Sequence, residues 1–154
     1  MGYYILLTDS DFTIKAENLD EAYKRLCDLN LRDDLKVAYD FLSARDDFVA
    51  STGIEGTPSL HFSWMKNDYP LHYKTADQIF QALGFETETL QDGSLVLRYY
   101  DSKIGGESHF TNAVSNLATG SLTWRGEDGE QWREVAGGDT LEVWAAVTTF
   151  ERVT

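Results

Sequence analysis

At 154 residues, 42% of them hydrophobic, the chain is long enough for one domain with its own core, or for a core carrying an added N-terminal element. Its charge is lopsided: 26 acidic against 13 basic residues leave a formal −13, a field that repels nucleic acid and anionic membranes and draws in basic proteins. The single cysteine, Cys27, rules out an intrachain disulfide and sits in a helical pattern where packing explains it. The opening MGYYILLTDSDF lacks a basic leader and no stretch approaches the roughly 20 apolar residues of a membrane span, so the expectation is a cytoplasmic protein without membrane contact.

In chain order, Tyr3 to Leu7 and Phe12 to Lys15 are β-rich runs separated by the turn formers Thr8-Asp9-Ser10-Asp11, and they predict a hairpin. Asn18 with Glu21 has the form of a capping box, and Leu19, Ala22, Tyr23 and Leu26 continue at helical spacing. A second, shorter helix is predicted from about Asp34 to Ala44, followed by the breakers Gly53 and Gly56-Thr57-Pro58, a linker or loop. Ser59 to Met65 carries bulky residues without alternation, as a strand covered on both faces would. Thr75 and Gln78 form a second capping box, Ile79, Phe80 and Leu83 a buried stripe, and Gly84 a left-handed terminator.

Phe85 to Leu90 and Leu95 to Tyr100 then pair around Asp92-Gly93, with Glu86 and Glu88 on a solvated face. A helix follows from about Glu107 to Ala118, with Phe110, Ala113, Val114 and Leu117 inward and Gly120 after its end. Leu122 to Arg125 and Gln131 to Val135 pair around Asp128-Gly129, and Thr140 to Phe150 alternates as a last strand. The unit helix, Gly, strand, Asp-Gly, strand therefore occurs twice, 36 residues apart. Preceded by the Leu60 run, it spells strand, helix, strand, strand, helix, strand. The reading is α+β: a ferredoxin-like βαββαβ core over residues 59–154, with extra C-terminal antiparallel strands and an N-terminal ββα element over residues 1–58.

Two constellations could carry function. Trp124-Arg125 and Trp132-Arg133 flank the acidic tip Gly126 to Glu130, and cross-strand aromatic and arginine neighbours would brace it with Glu127, Asp128 and Glu130 outward. With Asp33, Asp34, Asp46 and Asp47, and the acids Asp9 and Asp11, this tip is the candidate surface for a basic, nucleic-acid-binding protein, the acids standing in for phosphates. The other constellation is His61-Phe62-Ser63 with His109-Phe110-Thr111. This pair of His-x-Ser/Thr motifs resembles the 2H phosphoesterases, and the resemblance implies proton transfer by His61 and His109 with Ser63 and Thr111 binding phosphate oxygens, on cyclic nucleotides or RNA ends. In that family both motifs lie on central strands, whereas His109 here falls in the first turn of a helix. His61, His72 and His109 share no metal-ligand spacing, and no cofactor is implied.

The segments HFSWM, LGFETE, VLRYYDSKIG and WRGEDGEQWR resemble small proteins of bacterial genomes and phages whose layout is similar to the ferredoxin-like domain of plasmid-borne YubB-type proteins. That resemblance implies the fold and a mobile-element setting and assigns no catalytic residue. In general character the chain also resembles acidic phage anti-defence inhibitors, anti-CRISPR proteins among them, which implies a non-catalytic binding role. Exposed strand edges leave oligomerisation open.

Overall fold

The computed structural model describes residues 3–38 and 60–154. Within them the chain is α+β, with three α-helices, two larger antiparallel sheets and one two-stranded antiparallel pair. The N-terminal strands are the hub. β1 (Tyr4–Ser10) and β2 (Thr13–Ile14) do not pair with each other as a hairpin. The chain bends at Asp11-Phe12 and continues, because a β-bulge after Leu7 keeps Ile5, Leu7, Phe12 and Ile14 all facing inward and buried. Asp11 locks the bend: its carboxylate accepts the Ser121 N–H at 2.7 Å, and its own N–H reaches Ser121 O at 3.1 Å.

After β2, α1 (Leu19–Asp28) begins behind a 3-10 turn, so the predicted Asn18 cap does not form; the Asn18 amide donates to Leu117 O instead. Residues Asp33–Leu35 make a 3-10 turn and Val37–Ala38 the short strand β3, in place of the helix expected from Asp34. The rest of that expected helix and the loop from Gly53 to Pro58 lie outside the described residues. β4 is only Leu60–His61 and pairs with β3 alone. The predicted strand to Met65 therefore stops early: Ser63 turns left-handed (φ 49) and Met65 N–H closes onto Phe62 O, dropping Phe62 and Met65 into the core.

α2 (Ala76–Leu83) is the helix most fully written in the sequence. Thr75 Oγ1 accepts the Gln78 N–H at 3.1 Å, the Gln78 side chain reaches back to Lys74 N–H, and Gly84 ends the helix at φ 112. β5 (Glu86–Thr89) and β6 (Leu95–Tyr99) follow, β6 running through Tyr100 into β7 (Asp101–Lys103). α3 (Glu107–Ala113) is shorter than expected and passes into a 3-10 turn, Ser115–Leu117. Gly120 consequently caps no helix. It sits between β8 (Ala118–Thr119) and β9 (Ser121–Gly126). β10 (Gln131–Val135) and β11 (Glu142–Ala145) complete the order.

The sheets run β11-β10-β9-β1-β7 and β5-β6-β2-β8. Since β1 leads into β2, β6 into β7 and β8 into β9, the same three chain segments lie side by side in both. Ile5, Leu7, Ile14, Leu97, Leu122 and Trp124 from the strands and Leu26, Ile79, Phe80 and Phe110 from the helices form one continuous core. The expected last strand to Phe150 ends at Ala145, and its alternation buries no face: only Leu141 before it is inside.

Candidate functional site

The first candidate, the β9–β10 tip, is built across the sheet from residues far apart in sequence. Trp124 and Trp132 stand directly opposite each other and stack at 6.4 Å and 20°. Their ring faces point inward: Trp124 is only 2% exposed and donates its Nε1–H to Glu134 at 2.6 Å, so it belongs to the core and not to a binding surface. Trp132 is half-buried beside it. Arg125 and Arg133 do not face each other; Arg125 lies opposite Gln131, and Arg133 opposite Thr123, to which it donates a hydrogen bond.

Glu127, Asp128 and Glu130 are all exposed, and β1 holds them. Tyr4 N–H donates to Glu127 Oε1 at 3.1 Å while Glu127 N–H returns to Tyr4 O at 3.0 Å. The Tyr3 hydroxyl donates to Asp128 and reaches Glu130 Oε1 at 3.2 Å. That hydrogen bond keeps Asp128 below the usual carboxylate range and pushes the Tyr3 phenol up to about 12. The two tyrosines are the residues that sequence reading missed. They read as plain strand, and nothing local announces a partner that lies more than a hundred positions away.

The other acids proposed for this surface are already engaged or lie elsewhere. Asp34 accepts a two-pronged hydrogen bond from Arg32 at 2.9 and 2.8 Å, which lowers its pKa, and Asp33 pairs with Lys36 at 2.8 Å. Asp11 is spent on the Ser121 backbone. Asp9 is exposed on β1 opposite Thr123. Asp46 and Asp47 lie outside the described residues.

The second candidate is a cavity of about 360 Å³ where β3, β4 and the turn before α3 meet. His61, Ser63 and His109 all line it, with Leu35, Val37, Phe62 and Ile104 as apolar wall and Gly105-Gly106 as backbone floor. Burial, with Lys36 nearby, pushes the His61 imidazole below its usual pKa, so it is neutral at pH 7 and able to accept a proton. Ser63 holds its left-handed backbone with its hydroxyl packed over Gly105: a Cβ there would come within 2.2 Å of Ser63 Oγ. Thr111 is not part of the cavity. It is buried, and its hydroxyl donates back along α3 to Glu107 O and Ser108 O.

Beneath this cavity Glu107 is buried, and its carboxylate accepts the Gly105 N–H at 2.7 Å. Burial raises its pKa, and burial likewise raises that of Glu134. Folding therefore takes up protons: this contribution to stability is complete below the ordinary glutamate value of 4.5 and is lost as pH rises through the raised native value. The aspartates with lowered pKa, Asp34, Asp92 and Asp128, act in the opposite sense, but below the ordinary aspartate value of 3.8. Between that glutamate value and neutrality the buried glutamates make stability fall with pH while His61, whose pKa is lowered, makes it rise, so the Glu107 contribution is read as a difference: in chemical denaturation Glu107→Gln should shift the slope of stability against pH to more positive values. An unchanged slope in the variant would count against this assignment.

Among the described residues no group of three or more His, Cys, Asp or Glu is placed to hold a metal ion, and no helix is long and apolar enough to cross a membrane. No protein-family model matches the chain, and neither a curated protein nor a solved structure matches it significantly. What the fold and sites define is an α+β protein with a braced acidic hairpin at one end of its larger sheet and a small histidine-lined cavity.

Proposed function

We propose that the chain is a non-catalytic binding protein of the cytoplasm whose acidic β9–β10 tip engages a basic protein surface, one that otherwise binds nucleic acid. The observation that carries this reading is the bracing of Glu127, Asp128 and Glu130 by Tyr3 and Tyr4, which holds three exposed carboxylates together before any partner arrives. Preorganised charge loses less side-chain entropy on binding and steers encounter with an oppositely charged partner. The net charge of −13 acts in the same direction. An inhibitor from a mobile element, occupying the nucleic-acid surface of a defence protein, is the finer form of this proposal.

The frame we read as ferredoxin-like, with its first strand at β1–β2 and not at Leu60. Support comes from the order of the central segments, β8/β9, β1/β2, β6/β7, β5, all antiparallel, with α1 and α2 between the first and second strands and α3 between the third and fourth.

The test is capture from a cell lysate at low salt, followed by a high-salt wash, with Glu127→Lys/Glu130→Lys alongside. Basic nucleic-acid-binding proteins should be retained by the wild type, released by salt and not retained by the variant. Retention of the same proteins by the charge-reversed chain would refute the role of the tip.

A second reading is favoured by one observation: His61, Ser63 and His109 line a single cavity. On it the chain is a phosphoesterase of the 2H kind, with neutral His61 as the base. Hydrolysis of cyclic nucleotides or RNA 2′,3′-cyclic ends should then fall by about 10²-fold or more in His61→Ala and in His109→Ala, the scale of general acid–base contributions. Activity that survives both substitutions, or none in the wild type, would dispose of this reading.

A further inference from the structure

β11 lies at the edge of the larger sheet, and beyond it residues 146–154 continue with every side chain exposed. From Val143 to Phe150 the sequence is VWAAVTTF, β-branched and aromatic, with no charge, proline or glycine. Edge strands are ordinarily guarded by such residues. The opposite edge of that sheet is: β7 carries Asp101 and Lys103, both exposed. Val147 is 83% and Phe150 95% exposed, and Val143, Trp144 and Val153 are exposed with them. Of the chain's formal −13, only Glu142, Glu151 and Arg152 fall in residues 141–154, so this is a place where two copies of an acidic protein can approach with little repulsion.

We propose that the occupant of this edge is a second copy of the chain, paired antiparallel through residues 142–152 about a two-fold axis at Val147. The register follows from the sequence itself. With the axis at Val147, Glu142 of each copy stands opposite Arg152 of the other, Trp144 opposite Phe150, and Val147 opposite Val147. Directly opposed residues in an antiparallel pair bring their Cβ atoms to about 4.5–5.5 Å, close enough for the ion pair and the aromatic pair to form twice each. In the single chain Glu142 accepts the Trp144 Nε1–H at 2.6 Å, and Arg152 reaches only the nearby Thr154 carbonyl, so neither is committed elsewhere in the fold.

Trp144 and Phe150 each offer roughly 150–250 Å². From two copies these four rings supply at most about 600–1,000 Å², and the valines and the strand backbone must add the rest of the ~1,200–2,000 Å² of a stable interface. An isologous pairing of this kind would join the two five-stranded sheets into one. The inference is independent of the roles proposed for the acidic tip and the histidine cavity.

The test is the mass in solution across the micromolar range by sedimentation or light scattering. The wild type should reach twice the 17.4 kDa of one chain. Val147→Pro, which removes the amide at the axis from both strands, should remain monomeric with an unchanged circular dichroism spectrum. Arg152→Glu should raise the dissociation constant by about tenfold, since both symmetry-related pairs turn from attractive to repulsive, and Glu142→Arg/Arg152→Glu should restore it. A wild type that stays monomeric, or a dimer indifferent to Val147→Pro, would overturn the proposal; a charge swap that fails to rescue would overturn the register.

Discussion

Gly120→Ala is expected to lower the thermal midpoint by about 6–12 °C, the equivalent of about 3 kcal/mol in a chain of this size. Two costs combine. The residue sits at φ +87, where an L side chain is strained by about 1–2 kcal/mol. A Cβ there would also lie 2.3 Å from the backbone oxygen of Asp11 and 2.7 Å from its carbonyl carbon. Neither atom can swing aside, because Asp11 is tied to Ser121 through both its N–H and its carboxylate, at the bend that turns β1 into β2. Overpacking of this kind adds about 1–3 kcal/mol. Gly129 is the control. It lies 9 residues on at φ +92, and a Cβ there would meet nothing within 4 Å, so Gly129→Ala should show the conformational cost alone. Equal shifts in the two variants would show that contact with Asp11 contributes nothing.

Trp124→Ala should cost about 3–5 kcal/mol, a large part of the 5–15 kcal/mol that holds a typical domain folded. Its ring meets Tyr100 edge-on at 5.6 Å and Phe85 at 6.2 Å and stacks on Trp132, joining the sheet to the core above it. Deleting it leaves a cavity and strips the Glu134 carboxylate of its indole donor at a site where burial already penalises the charge. Trp124→Phe keeps most of the packing and loses only the donor, so its loss should be about 1–3 kcal/mol. These effects separate the core from the proposed binding tip. Glu127→Lys/Glu130→Lys changes exposed groups and loses one hydrogen bond to β1 or Tyr3 at each site, so it should cost about 0.5–1.5 kcal/mol per site while abolishing capture. Trp124→Ala should do the reverse, impairing capture only to the extent that it unfolds the chain.

The division between core and tip follows the division between what is local in the chain and what is not. α2 can be read residue by residue, because a helix is made of contacts three and four positions apart: the Thr75 and Gln78 capping box, the Ile79, Phe80 and Leu83 stripe and the Gly84 terminator are all local. The two Asp-Gly turns are legible for the same reason. Gly93 and Gly129 both take the positive φ that their turns require.

The N-terminal strands mislead. Their turn formers suggest a hairpin, yet Asp11 hydrogen bonds to a backbone amide 110 positions away, and that distant bond makes a bend of what local chemistry would make a reversal. Leu60 to Met65 misleads in the opposite way, since a bulky run without alternation fits a covered strand and a core-filling turn equally well. The histidine cavity is half legible. His61 and Ser63 share a short motif with each other, and His109 repeats it, but that they meet while Thr111 turns away depends on how α3 docks beside β4.

By itself, then, the sequence determined the α+β class, the central and last helices in outline, the hairpin turns and the acidic field, all of which rest on near-neighbour periodicity or on simple totals. Only the tertiary structure decided that β1 lies inside the sheet between β9 and β7, that Trp124 is core, that Tyr3 and Tyr4 brace the acidic tip, and that two histidines share a cavity. Those depend on contacts between residues tens to more than a hundred positions apart, whose formation is set by the packing of the whole chain and leaves no local mark.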